Sequence, residues 1–409
     1  MADRTLEHFV RRRTAGVGFD VVAVEPTRAQ LTWARPGDGT LGVELDGRPV
    51  VLAGQRPTGG GPGDGPGGGP GGGPGGVELA GLRPDHAHEA RLLSDGQVVA
   101  TRRFRTPAAP AGDELFRFAT ISDLHLGRGD RKYRLPKMRK EVPEPRDDVV
   151  DLEQDRQFRT ARAAIDEALA WGAQLLVVKG DLCDESVDWI WDQAAELLGS
   201  LPVPVVILPG NHDTGALRLI EPEVAAAARG LEVIRGVGHL DVPGLRIVAV
   251  DSTNPGNGWG SVARHADEVA TLAAEVERGV FVATHHHPQR FRPPLFWPHG
   301  IPGPDADDFA RTVTAANPAV MASSGHTHRC RRRVVEGLTW TEVAATNHFP
   351  GVWAGYTVYD GGLTQAVRRI LEPVPMEWIE GTRHVLGGVW ALWSTGTIDD
   401  RCCSITWRP

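Results

Sequence analysis

The chain has 409 residues, a formal net charge of -8, and 41% hydrophobic and 23% charged residues, the proportions of a soluble globular protein long enough for two or three domains. Without a basic excess, no nucleic-acid partner is expected, because duplex binding rests on many Lys and Arg contacts to phosphate. No run of 18 apolar residues occurs, so no membrane-spanning helix is expected.

Arg11, Arg12 and Arg13 are followed by Asp20 and Glu25 rather than by an uninterrupted apolar stretch, so an export signal is not expected. Four cysteines, Cys183, Cys330, Cys402 and Cys403, are few for the length and form no CxxC. That usage fits a reducing compartment, and the cytoplasm is the expected location.

From Gly16 to about Thr106 the pattern is alternating and short in period, with runs such as "FDVVAV", "AQLTWA" and "HEARLLSDG" separated by turn residues. This predicts a small all-β sandwich over 1–107. Residues 59–76 contain only Gly, Pro and Asp64, a composition that buries no apolar surface, and predict a disordered loop between two strands. After the linker "TPAAPAG" the element types change. Strands are expected at "FRFATIS", "QLLVVKG", "PVVILPG", "LRIVAVD", "GVFVAT" and "AVMASSG", with helices over 153–171, 187–199, 262–278 and 305–316 between them. Strand and helix alternation predicts an α/β domain over 113–345. Beyond it, 346–409 reads as a C-terminal β region without a strong helix, "GVWALWSTG" included.

Polar residues cluster where these strands finish. "SDLHLG" holds Asp123 and His125, "KGDLCD" holds Asp181, "GNHD" holds Asn211, His212 and Asp213, "THHHP" holds His285, His286 and His287, and "GHTH" holds His326 and His328. Seven of the 15 histidines lie in these short segments. A lone histidine at a strand end is usually structural, but five coincident sites on one sheet edge are not explained that way. Carboxylate and imidazole donors suit Mn, Fe, Zn or Co, and two ions about 3.5–4 Å apart need a bridging carboxylate with separate ligands on each side. The x-spaced pairs, Asp123 with His125 and His326 with His328, share a face of an extended segment. Cys183 and Cys330 stand near these residues, but neither has a second cysteine at ligand spacing.

The ordered set D-x-H, G-D, G-N-H-D, H and G-H-x-H between residues 123 and 328 resembles the calcineurin-like metallophosphoesterases. The resemblance implies an α/β (α+β) sandwich with one transition metal on Asp123, His125 and His328, another on Asn211, His285 and His326, and Asp181 bridging. It further implies that His212 assists leaving-group departure, with Asp213 orienting its ring. In "THHHP" both His285 and His286 fit, the former because it directly follows the strand. The expected activity is hydrolysis of small-molecule phosphate esters by a hydroxide activated at a dinuclear centre, and the alternative is a binding module carrying a vestigial site.

The N-terminal region resembles a fibronectin type III domain with Trp33 as core aromatic and His88 in the place of the usual Tyr. Together with the catalytic region it resembles the purple acid phosphatase arrangement. The departure is Asp184, which stands where those enzymes carry a metal-binding Tyr, so divalent metals at both positions fit as well as a mixed-valence pair. The stretch from Arg128 to Lys140 carries seven basic residues beside the first motif. A solvated excursion there leaves an open cleft that suits diesters, whereas a flap over the site suits monoesters, and the open cleft is preferred because no apolar period docks the segment. His348, Trp353, Trp378, Trp390, Trp393 and Trp407 are expected to pack in cores rather than contact substrate.

Overall fold

Runs of β-branched and aliphatic residues bounded by Gly, Pro or Asp form the strands of a computed structural model that describes residues 18–34, 39–52, 73–128, 152, 155–215, 220–254, 258–289, 298–383 and 388–407. The chain divides into one unit of residues 1–109 with 371–381 and another of 110–370 with 382–409. The N-terminal arginines and the basic segment from residue 129 onward lie outside the described residues, as does the Gly/Pro-rich stretch up to residue 72.

The first unit holds β1 (Asp20–Val24), β2 (Arg28–Trp33), β3 (Leu41–Leu45), β4 (Arg48–Val50), β5 (Gly75–Ala80), β6 (Ala87–Ser94) and β7 (Gln97–Arg105). They form two antiparallel sheets in the orders β1-β2-β5 and β4-β3-β6-β7. Two Asp-Gly turns set the register: Asp46-Gly47 and Asp95-Gly96 all have positive φ, the backbone of a two-residue hairpin whose twist matches its strands. Phe19, Leu31, Trp33, Val43, Leu79 and Leu92 form the core. The end of the Gly/Pro-rich stretch, Gly75 and Gly76, is already strand.

The second unit opens with β8 (Glu114–Ile121), α1 (Arg156–Trp171), β9 (Leu176–Lys179), α2 (Asp188–Leu198), β10 (Val205–Leu208) and α3 (Pro222–Ala227). Next come β11 (Val237–Val242), β12 (Leu245–Val250), α4 (Ala266–Ala274), β13 (Gly279–Ala283), α5 (Gly303–Ala316), β14 (Val320–Ser324), β15 (Arg331–Val335) and β16 (Leu338–Glu342). The second unit ends with β17 (Val352–Tyr359), β18 (Gly362–Arg369), α7 (Val389–Ser394), α8 (Ile398–Arg401) and β19 (Cys402–Thr406), while α6 (Pro373–Thr382), between β18 and α7 in the chain, belongs but for its last residue to the first unit. Asp155 caps α1 by accepting from the Phe158 N–H, and Gly172 closes it in the left-handed region.

Two six-stranded sheets result, ordered β10-β9-β8-β17-β18-β19 and β11-β12-β13-β14-β16-β15. Strands β8, β9 and β10 run parallel, as do β12, β13, β14 and β16. The sheets share one apolar core, in which Phe118 stacks on Tyr356 at 4.7 Å and Phe281 meets both rings edge-on. Full burial of each such ring contributes about 2–3 kcal/mol. Phe309 and Val313 of α5 and Val269 of α4 cover the outer face of the second sheet through Val248, Val280 and Val282. The α/β class expected from the alternation is therefore met by a mixed fold of helices and several sheets.

The C-terminal expectation needs correction. "GVWALWSTG" forms α7 rather than a strand, and α6 and α8 are helical as well. A short aromatic run fits either element on pattern alone. Here Gly388 turns with φ +88°, Ala391 and Ser394 face inward, and Trp393 lies outward under the Arg329 and Arg331 guanidiniums at 4.9 and 5.2 Å. Trp393 is thus an exposed cation–π platform, not a core residue. The separate region expected from residue 346 supplies β17, which pairs with β8, followed by β18 and β19 in the same sheet.

Candidate metal centre

Parallel strands deliver their C-terminal ends to one edge of an α/β sheet, where irregular backbone is free to carry chemistry. Asp123 and His125 follow β8, Asp181 follows β9, Asn211 and His212 follow β10, His285 follows β13, and His326 and His328 follow β14. The backbone there departs from ordinary geometry: Asp123, His125, Asp181, His326 and His328 all have φ between +50° and +66°. Left-handed conformations in non-glycine residues cost energy and persist only where surrounding structure enforces them, which is common at functional sites.

Small residues make room for this. A Cβ on Gly210 would run into the Asp181 carboxylate, and one on Gly180 would stand 2.5 Å from the His285 ring. Asp213 fastens the same loops, since its carboxylate accepts from the N–H groups of Gly210 at 2.8 Å, Cys183 at 2.8 Å and Leu182 at 3.3 Å.

The side chains converge as four overlapping groups: Asp123, His125 and His328; Asp123, Asp181 and His285; His285, His286 and His326; and His125, Asp184 and His212. Within each, the donor atoms lie within 4.8 Å of one another. Asp181 faces both ways, with Oδ2 3.7 Å from His125 Nε2 and Oδ1 3.4 Å from His285 Nε2. His328 Nε2 lies 3.1 Å from Asp123 Oδ1, and His285 Nε2 lies 3.1 Å from Asn211 Oδ1. All seven residues expected as ligands are therefore brought to one place.

Backbone carbonyls fix two of the rings. His285 Nδ1 donates to the Lys179 carbonyl at 2.8 Å, and His326 Nε2 donates to the His299 carbonyl at 2.9 Å. A carbonyl only accepts, so the neutral ring keeps its lone pair on the other nitrogen, the arrangement by which proteins orient metal-binding histidines. His328 Nδ1 is 3.1 Å from His348 Nε2, and His125 Nδ1 is 3.2 Å from Asp184 Oδ1. His348 is buried as expected, but behind the site, backing one of its rings.

Charge favours a cation. Burial alone would raise the Asp181 carboxyl, yet the surrounding histidines hold it well below the usual range, and His328 with His285 does the same for Asp123. Burial lowers His125 to about 4 and holds His326 well below its usual value, which keeps these rings neutral. Burial would lower His285, but Asp181, Asp123 and the Lys179 carbonyl together outweigh it and raise the ring to about 9. Buried carboxylates with unprotonated imidazoles form a donor set suited to transition metals, whose binding would displace the His285 proton. The residues therefore fit such ions. Cys183 and Cys330 are buried thiols pushed up by burial, Cys330 to about 11, and neither joins a donor group among the described residues.

The orientation expected of His212 differs in its partner. Its Nδ1 donates to the Asp184 backbone carbonyl at 2.9 Å and lies 3.6 Å from Asp184 Oδ1, whereas Asp213 spends its oxygens on backbone N–H groups. A carboxylate next in sequence looked suitable, but the turn directs it inward and brings Asp184 from the neighbouring loop. The His212 side chain is 37% exposed, so its other nitrogen is open to a ligand. Burial lowers its pKa and Asp181 and Asp184 raise it, with a net upward shift. Ser252, after β12, was also missed: its Oγ is 2.9 Å from His286 Nδ1. "LRIVAVD" ended a buried strand without a histidine, and only the sheet order places it beside "THHHP".

Behind the last motif, Glu342 binds Arg329 at 2.8 Å and Arg333 at 2.9 Å while itself 1% exposed. Burial would raise its carboxyl, but His287, Arg329 and Arg333 outweigh it and hold it at about 2. Glu342→Gln strands two guanidiniums and is expected to cost about 3 kcal/mol in urea unfolding at pH 7. A depressed carboxyl stabilises above its unfolded pKa, so the difference between wild type and variant should shrink as pH falls from about 4.5 toward 2.

Residues 116–330, more than half of the chain, match the calcineurin-like phosphoesterase family. Among solved structures, "Structure of PhoD" is 10% identical with a TM-score of 0.42 and covers 86% of this chain and 87% of that one. A putative 5'-nucleotidase from Staphylococcus aureus in complex with alpha-ketoglutarate is 12% identical with a TM-score of 0.39, covering 59% of this chain and 50% of the other. Wild-type Vps29 complexed with Zn+2 from Entamoeba histolytica is 13% identical with a TM-score of 0.30, covering 62% and 91%. No curated protein matches the chain. On the extent of the family match and the ordered residues that it spans, the chain belongs to the calcineurin-like phosphoesterase family.

Proposed function

We propose that the protein is a phosphoric ester hydrolase working with two transition metal ions, Mn, Fe, Zn or Co. The observation that carries this reading is Asp181, whose two carboxylate oxygens face separate histidine-bearing groups. Asp123, His125 and His328 would hold one ion, Asn211, His285 and His326 the other, and Asp181 both. When bound, two cations lower the pKa of water from about 15.7 toward 7 and neutralise phosphoryl oxygens. His212 holds a proton at the nitrogen that Asp184 leaves open and delivers it to the departing alkoxide, and its upward-shifted pKa keeps that proton available near neutrality. Asp184, in the place of a phenolate, offers no iron(III) charge-transfer chromophore, so no violet band is expected and both ions are expected to be divalent.

Diesters are the proposed preferred substrates on the strength of the open cleft read from the basic segment, whose residues from 129 lie outside the described part. One observation favours monoesters: Arg128, at the start of that segment, sets its Nε 3.9 Å from Asp184 Oδ1 at the site. Arg131, Lys132 and Arg134 changed together to Ala decide between them. With diesters preferred, both rates hold. A monoester rate falling tenfold or more while the diester rate stands, about 1.4 kcal/mol of selective transition-state stabilisation, overturns the preference. The class is tested by metal analysis with an aryl phosphate mono- and diester panel: about two equivalents of metal and turnover support it, neither supports a vestigial module.

For the first unit we propose a fibronectin type III-like fold, supported by its antiparallel sheets of three and four strands around Trp33. His88, where the Tyr was expected, is buried with Nδ1 2.7 Å from Asp46 Oδ2. The absence of basic excess supports small phosphate esters rather than nucleic acid as substrates, and low cysteine usage supports a cytoplasmic location. Among the described residues no helix is long and apolar enough to cross a membrane.

A further inference from the structure

His285, His286 and His326 each place a ring nitrogen within 4.8 Å of the other two, with ring centroids 4.9 Å apart for His285 and His286 and 4.6 Å for His286 and His326. All three are buried, His286 with no solvent exposure. His285 and His326 each turn one nitrogen outward onto a backbone carbonyl. His286 repeats the pattern with a hydroxyl: Nδ1 lies 2.9 Å from Ser252 Oγ, and the same oxygen accepts the His286 backbone N–H at 3.1 Å. Its Nε2 is buried and has no hydrogen-bond partner among the described residues.

A polar nitrogen left unpaired in a protein interior costs about 1–3 kcal/mol. Ser252 holds the ring's other nitrogen, so turning the ring to pair Nε2 would break that contact, and Gly260 packs so closely on the base of the side chain that a Cβ there would collide with His286 Cβ and Cγ. A group that is held, buried, unpaired and grouped with two other imidazoles is arranged to meet a cation. We infer that His286 is a further donor to the ion held by Asn211, His285 and His326, making that position the more nitrogen-rich of the two. The inference rests on the dinuclear reading above.

The consequence is selectivity. Three imidazoles favour borderline ions such as Zn and Co over hard, oxygen-seeking Mn and Mg, whereas the position with Asp123, His125 and His328 has an extra carboxylate and discriminates less. Sequence alone posed His285 and His286 as alternatives, and the structure brings both to the same group.

The test uses the full-length protein stripped of metal and titrated with Zn, Co or Mn against a chromophoric chelator. Wild type should take up two equivalents. His286→Ala should weaken one equivalent of Zn at least tenfold, about 1.4 kcal/mol, leave the other within threefold, lose less for Mn than for Zn, and alter the visible absorption of one Co equivalent. Ser252→Ala, which keeps the imidazole but frees it, should weaken the same equivalent by a smaller factor. His286→Gln guards against misfolding and should match His286→Ala. Two wild-type equivalents with both Zn affinities and the Co spectrum unchanged in His286→Ala and His286→Gln overturn the role of His286 alone. Fewer than two equivalents in wild type overturn the dinuclear reading and this inference with it.

Discussion

Asp181→Asn is expected to abolish turnover, with kcat falling at least a thousandfold, about 4 kcal/mol of transition-state stabilisation. The side chain keeps its size, and one oxygen still accepts the His212 N–H now found 2.8 Å from Asp181 Oδ1. What is lost is the charge between His125 and His285, together with one of the two oxygens that face them. Carboxylate is what joins two cations, and an amide presents a single weak donor. Metal content should fall from two equivalents toward one. Far-ultraviolet circular dichroism should not change, because Asp181 lies beyond the end of β9. A variant that keeps half the wild-type rate with two metals bound would contradict the assignment.

The residues of this prediction were legible because their spacing is local. D-x-H, G-D, G-N-H-D and G-H-x-H each sit directly after a strand, and a parallel sheet necessarily collects such ends at one edge. Two strand ends lacked that advantage. Asp184 is three residues past Asp181, where only the loop path decides that its carbonyl, and not the Asp213 carboxylate, meets His212. Ser252 follows a strand with no motif, and its meeting with His286 depends on β12 lying next to β13. Sequence position carries strand order poorly, because sheet neighbours are chosen by crossover connections. The same limit hid the pairing of β17 with β8 across more than two hundred residues. Helix α7 escaped for a different reason: "VWALWS" has six residues, too few for either period to declare itself, and the left-handed Gly388 with the buried Ala391 settles the matter only in three dimensions.

His212→Gln is expected to separate the two halves of the reaction. His212 is joined to the site through Asp184 on Nδ1 and is open to ligand on its exposed side, so it suits proton delivery and not cation binding. General acid catalysis contributes about 10²–10⁴, and it matters most where the leaving group is a poor one. An alkyl phosphate ester, which departs as a strongly basic alkoxide, should therefore lose about a thousandfold in kcat. A nitrophenyl ester, whose phenolate leaves without help, should lose tenfold or less. Metal content should remain at two equivalents, in contrast to Asp181→Asn. A downward proton-dependent limb should also vanish: the group is active protonated, so the wild-type alkyl ester rate declines as pH rises through its raised pKa, and the glutamine variant should show no such decline. Equal losses on both esters would instead place His212 in substrate positioning, since a contact to phosphate does not sense the leaving group.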